Sequence, residues 1–428
     1  MLGYVRQVTR LRREIQLFLL FTLFANIAIG VFALIYNLYL VSLSHREDFI
    51  GTYNAVSTIT MAAAALVMGP LIGRWGTWAC LTYGSVAFVL GSLVLAVVDH
   101  RWVILLFGAL SGAASAFILV PIVPFIVEWT LPEERSVATA VTFSIQSLSG
   151  TLGSLIGGWS PRIAAAALGM PADGVTAYRL TLLAGLGLGA VALAPLLVMQ
   201  RTPAPLASDA ARPVSNQDKP VPRRQVRRRI GVFILAGLFL SLGSGAVVPF
   251  YNVYLAGVGA SASQIGLIYS LAGIVAAAVG LTAPTIGRRL GPLASDVVLR
   301  LLPVPAFALL ALAPSLGLAV IAHVLRVMSF SVAWPINSTF ISELLPPDTR
   351  ANAFSLRSGV WNLGYAGASF LAGQIIVAAG YELTFIAFGV AQIASAAVFS
   401  GYFWQVRRRA TTAEGISPEP EPAPAPAP

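Results

Sequence analysis

Apolar residues run along this chain in blocks of about 20. Twelve blocks can be counted, at 15–43, 48–69, 77–98, 102–127, 136–158, 177–200, 230–256, 263–284, 296–314, 316–342, 351–378 and 382–405. Each is long enough to cross ~30 Å of hydrocarbon as a helix. Ten-residue strands of alternating hydrophobicity, the signature of a membrane β-barrel, are absent from the sequence. The pattern predicts an all-α membrane protein. The first block is too long for a cleavable signal peptide, and no small-residue cleavage site follows it.

Composition agrees. Of 428 residues 57% are hydrophobic and 10% charged, and the mean hydropathy is +0.81. Ordinary soluble domains are about 25% charged. Charge this sparse cannot cover a soluble surface, so the excess apolar surface faces a lipid bilayer. This excludes a soluble enzyme, a nucleic-acid partner and a disulfide-stapled secreted domain. One cysteine, Cys80, permits no internal disulfide, and His45, His100 and His323 offer no metal-ligand spacing. No metal and no cofactor are expected.

The net charge of +10 is best read through loop asymmetry. With the N-terminus inside, 21 of the 27 basic residues fall on the inner side and four, Arg46, Arg101, Arg162 and Arg179, on the outer. Both termini are therefore expected in the cytoplasm, the protein in the plasma (bacterial inner) membrane. Five prolines, and five arginines at its end, make 201–229 a flexible basic linker between two halves, 15–200 and 230–405. Residues 1–14 form a cytoplasmic N-terminus, and the Pro-rich, acidic tail in 406–428 is expected to be disordered.

The halves repeat each other. Tyr36-Asn-Leu-Tyr-Leu40 recurs as Tyr251-Asn-Val-Tyr-Leu255, and Ile50-Gly51 as Ile265-Gly266. Pro70-Leu-Ile-Gly-Arg74 recurs as Pro284-Thr-Ile-Gly-Arg288, and Glu128, Pro132 and Arg135 as Glu343, Pro347 and Arg350. All lie 214 or 215 residues apart. Six crossings is an even number, so the two copies are parallel repeats.

Twelve segments in a 6+6 parallel repeat resemble the major facilitator superfamily, over about residues 15–405. The family's loop motif after segment 2 is partly present as Gly69-Pro-Leu-Ile-Gly73-Arg74-Trp-Gly76, with Gly73 where the family has aspartate. Glu-x-x-x-Pro-x-x-Arg after segments 4 and 10 is complete in both halves. The segment-5 glycine pattern of family antiporters is partial, Ser149-x-x-x-Gly153-Ser154-x-x-Gly157-Gly158. The resemblance implies a secondary transporter working by alternating access, with segments 1, 4, 7 and 10 lining a central cavity and no enzymatic activity.

Within that frame, Gly69, Gly73, Arg74, Gly76, Glu128 and Arg135, with Arg288, Glu343 and Arg350, are expected to form a cytoplasmic gate. It would hold the outward-open state and release in the inward-open one. Candidate solute contacts are Asn26, Tyr36, Asn37, Gln146, Tyr251, Asn252, His323, Arg326, Trp334, Asn337, Arg357, Trp361 and Asn362, because polar groups inside a bilayer need a partner. None of the 17 acidic residues is expected mid-helix. A coupling proton would then rest on His323 or on the rim glutamates Glu128 and Glu343. The small-molecule solute is expected to be an amphipathic compound that is exported. The alternative is a polar or anionic metabolite that is imported, and the remote alternative is a multipass membrane enzyme. Gly185-x-Gly187-x-Gly189 lies within segment 6 and lacks the strand–turn–helix context of a nucleotide site, and Gly108-x-x-x-Gly112 is helix-packing spacing. Nothing calls for an obligate oligomer, so a monomer is expected.

Overall fold

The computed structural model describes residues 11–200 and 223–413, apart from the side chains at 348, 351 and 405–413. The linker stretch 201–222 and the Pro-rich tail from 414 lie outside the described residues. The described chain is helical and contains no strand. In order it forms α1 (Arg13–Ser42), α2 (Glu47–Val97), α3 (Arg101–Trp129), α4 (Pro132–Leu168), α5 (Val175–Val198) and α6 (Arg223–Gly257). Then come α7 (Ala262–Gly280), α8 (Ala283–Leu290), α9 (Pro292–Leu312), α10 (Leu316–Leu344), α11 (Pro347–Ala379) and α12 (Glu382–Ala413).

Among the described residues, ten stretches are long and apolar enough to cross a membrane. One of them, α2, has 51 residues. At 1.5 Å per residue it would be about 77 Å long, more than twice the hydrocarbon thickness. It turns back at Gly76, whose φ of +79° suits glycine and few other residues. In the second half the same place is held by Gly291, with φ +75°, between α8 and α9. The 37-residue α4 is long enough to cross but richer in Ser, Thr and Gly. Dividing α2 and including α4 gives six crossings per half, consistent with the predicted twelve.

Boundaries differ from expectation at two places. Arg223–Arg229 are not extended linker but the first turns of α6. Arg229 Nη1 donates to the Leu344 carbonyl at 2.7 Å, and the Arg228 guanidinium lies 5.1 Å from the Tyr402 ring, pinning α6 to α10 and α12. The last helix runs past 405 to Ala413.

The molecule has two ends. A basic end carries the starts of α1 and α6 and the turns at Gly76, Thr130, Gly291 and Leu345. The opposite, far end carries the turns at Leu43–Arg46, His100, Met170–Gly174, Val258–Ser261, Ser315 and Gly380. One buried cluster at the far end joins both halves, through Tyr36, Tyr39, Phe250, Tyr251, Phe307 and Phe388. At the basic end each half has its own cluster, around Phe18, Phe125 and Trp129 in the first and Phe233, Phe399 and Phe403 in the second. The halves are thus sealed together at the far end and separately packed at the basic end.

Candidate functional site

The far-end seal is built from repeated residues. Asn37 Nδ2 donates to the Pro249 carbonyl at 2.5 Å, and its repeat mate Asn252 Nδ2 donates to the Leu34 carbonyl at 2.7 Å. Both amides are buried, so each bond satisfies a group that would otherwise be costly. Outside this pair the halves meet at glycines. A Cβ on Gly158 of α4 would lie 2.7 Å from Gly266 Cα of α7. At the related crossing, a Cβ on Gly51 of α2 would lie 3.2 Å from Gly373 Cα of α11. Tyr381 Oη adds a bond to Glu47 Oε1 at 3.0 Å, Arg46 one to the Val377 carbonyl at 3.4 Å, and Ser270 one to the Thr151 carbonyl at 3.0 Å.

Below this seal, an open space of about 970 Å³ lies between the halves. Its polar lining is neutral: Tyr36, Asn37, Tyr53, Asn54, Asn252, Tyr269 and Tyr365, with several serines. Tyr36 Oη is buried and has no hydrogen-bond partner in the protein.

A second cavity, of about 610 Å³, lies in the C-terminal half and is charged. Helical spacing builds it. On α10, Arg326, Phe330, Trp334 and Asn337 recur at intervals of three to four residues and share one face. On α11, Arg357 and Trp361 are four apart, as are Asp296 and Arg300 on α9, and α12 supplies Gln392. Arg300 Nη2 and Asp296 Oδ2 are 2.6 Å apart, and both side chains are almost wholly buried. Asn337 Nδ2 donates to the other Asp296 oxygen at 3.2 Å. Arg300 also donates to Ser395 Oγ. Arg357 is buried, ten residues or about 15 Å along α11 from the basic end, with its guanidinium 5.2 Å from the Trp334 ring centre. Arg326 reaches His323 Nδ1 at 3.3 Å and lies 5.9 Å from the Tyr251 ring centre.

Five buried polar atoms at this cavity have no hydrogen-bond partner in the protein: Arg326 Nε, Ser329 Oγ, Arg357 Nη1, Asn337 Oδ1 and Gln392 Oε1. Three guanidinium groups face one carboxylate. A guanidinium fork matches carboxylate and phosphate oxygens, so the chemistry of this lining is suited to holding an anion.

Two sequence expectations need correction. An acidic residue does lie within a crossing: Asp296 is buried in the second turn of α9. Arg300, counted with the inner loops, lies inside the same crossing. The predicted segment began at 296, whereas α9 begins at Pro292, so both residues were assigned to its edge. An acid and an arginine four apart in an apolar run was the signal for a buried pair.

The other candidates are distributed as follows. His323 is buried between the rings of Tyr251 and Tyr269, 5.0 and 4.3 Å between centres. Tyr251 Oη donates to the Ala319 carbonyl at 2.7 Å. Asn26 and Asn362 bond to the carbonyls of Thr22 and Ser358 on their own helices. Gln146 is half-buried on α4, outside the lining of both cavities. At the basic end, Glu128 accepts a bond from Thr77 Oγ1 at 2.5 Å, and Arg350 Nε donates to the Leu345 carbonyl at 2.9 Å. Arg135 is half-buried. Arg74, Arg288 and Glu343 are exposed, and a Cβ on Gly69, Gly73 or Gly76 would meet nothing within 4 Å. Gly108 and Gly112 sit at close helix contacts, whereas a Cβ on Gly187 would meet nothing within 4 Å. Gly108 abuts Tyr53, Gly112 abuts Ser57, Gly185 abuts Val31, and Gly189 abuts Ala28 and Val89.

Comparison with known proteins places this geometry. The family model described as Major Facilitator Superfamily matches residues 17–348 and 297–426. Among curated relatives, an uncharacterized MFS-type transporter, YhhS, of Salmonella typhimurium is 24% identical over 269 residues, 62% of this chain and 64% of its own. Its Salmonella typhi counterpart matches equally. The chain thus spans just under two thirds of the length of these relatives. Three solved structures share the fold. The nucleoside transporter NupG has a TM-score of 0.73 at 14% identity, covering 92% of this chain and 99% of its own. A bacterial homolog of the human lysosomal transporter Spinster, inward-facing and unoccupied, has 0.73 at 15%, covering 95% and 98%. A D-xylose–proton symporter has 0.67 at 14%, covering 92% and 97%.

Proposed function

This chain belongs to the Major Facilitator Superfamily and is a membrane transporter by family and fold, and we propose that it carries small organic anions by alternating access. The observation that carries the reading is the charge balance of the C-terminal cavity. Arg300, Arg326 and Arg357 face only Asp296 there. Two uncompensated guanidinium groups inside a membrane protein are costly unless water or an anionic ligand reaches them. Of the two solute classes open from sequence, this balance favours the anionic one. The aromatic walls at Trp334 and Trp361 retain an apolar component. His323, enclosed by two tyrosines and an arginine, is not placed to exchange a proton with the cavity.

We further place the basic end in the cytoplasm, as the loop charges favour. The far-end seal then makes this state inward-open.

Isothermal titration of the full chain in detergent tests the solute class. Carboxylates should bind, and Arg357→Gln and Arg326→Gln should each weaken them at least tenfold. Binding of neutral sugars or lipophilic cations with no response to any acid would overturn the proposal.

A further inference from the structure

The wall beside the arginines is aromatic, and it is left uncovered. Phe330 and Trp334, one turn apart on α10, are 49% and 48% exposed although both line the cavity. Trp361 of α11 completes a shelf. The Phe330 ring centre lies 5.7 Å from that of Trp334 and 6.1 Å from that of Trp361. Large rings left bare beside a cationic group are costly to hydrate and serve best as a stacking surface. Arg357 stands 5.2 Å from the Trp334 ring centre, with its Nη1 unpartnered. An acid group bonded to that nitrogen would therefore carry whatever is attached to it across the shelf.

Resting on the anion reading above, we propose that the solute is a ring-bearing acid, its carboxylate on Arg357 and its planar aromatic ring on the Trp334–Phe330–Trp361 shelf. An aliphatic acid would fill the same charge site but gain no offset or edge contact between rings. Asn337 Oδ1 and Gln392 Oε1 remain to accept hydrogen bonds from a hydroxyl or amino substituent on the ring.

The test is titration of the detergent-purified full chain with 1-naphthoate, benzoate, cyclohexanecarboxylate and benzamide. Benzoate and cyclohexanecarboxylate share charge and approximate size and differ in the π face. The aromatic acids should bind at least tenfold more tightly than cyclohexanecarboxylate. Trp334→Leu should collapse that preference, read as the ratio of benzoate to cyclohexanecarboxylate affinity, to within about twofold. Arg357→Gln should weaken all three acids. Trp361→Leu is the second variant, should Trp334→Leu fail to purify as a folded monodisperse protein. Equal affinities for benzoate and cyclohexanecarboxylate would overturn the ring assignment and leave the anion transporter standing. Benzamide binding as tightly as benzoate, or no acid binding at all, would overturn both.

Discussion

At the scale of single residues, Asp296 decides most. It holds Arg300 at 2.6 Å, accepts from Asn337, and lines the same cavity as Arg357. Removing one member of a buried pair leaves an uncompensated charge and costs about 3 kcal/mol or more. Asp296→Asn should therefore lower the unfolding temperature in detergent by several degrees. Asp296→Asn combined with Arg300→Gln should lower it less, because no lone charge remains. A double variant no more stable than the single one would refute the pairing. A second residue gives a pH dependence. Burial pushes the His45 imidazole below its ordinary value, helped by Arg101 and opposed by Asp99. The unfolded chain then binds the proton more readily than the folded one. His45's contribution is intact above about pH 6.5 and is lost as pH falls further. Unfolding temperatures from pH 7.5 to 5 should fall more steeply for the wild type than for His45→Gln, and parallel slopes would exclude this role. The arginines at 326 and 357 were legible in the sequence because each stands alone in an apolar run. Asp296 was not, because a segment end misplaced by four residues turns a buried acid into a rim acid.

At the scale of helices, small residues decide where one rod can cross another. The Gly158–Gly266 and Gly51–Gly373 crossings are related by the 215-residue repeat, and each needs the absence of a side chain. Sequence identified Ile50-Gly51 and Ile265-Gly266 as a repeat element but did not say what the glycine meets. That partner lies across the molecule, on α11 or α4, and periodicity within one segment carries no information about it. A Cβ at Gly158 would lie 2.7 Å from both the Ala262 carbonyl oxygen and Gly266 Cα, all backbone and unable to rotate away. Gly158→Val should then push the halves apart at the far end. A cysteine placed at Ala260, buried beside this crossing, should become several-fold more reactive to a membrane-impermeant maleimide in that background. Unchanged labelling would mean that the crossing does not govern far-end closure.

At the scale of the whole molecule, the duplication matters because it makes the seal reciprocal. Asn37 reaches across to the chain just before its own repeat mate, and Asn252 returns the same bond to Leu34. Tyr-Asn-x-Tyr-Leu was visible twice in the sequence, and its place near the outer ends of segments 1 and 7 pointed to a gate as much as to a binding site. In the structure the two asparagines bond across the halves and also line the open space below the seal. Bonds that exist in only one conformation set the balance between conformations. A buried hydrogen bond contributes about 1 kcal/mol net, so losing both would move the equilibrium by about 2 kcal/mol, or roughly 30-fold. Asn37→Ala with Asn252→Ala should therefore shift the transporter away from the far-end-closed state. Each single variant should produce about half of that shift in free energy. Distances between spin labels near Ser44 and Gly259, on the far-end turns of the two halves, would report it directly. The double variant should populate a longer distance that is rare in the wild type. If the distribution stays that of the wild type, the asparagine pair is packing alone, and the glycine crossings by themselves hold the far end shut.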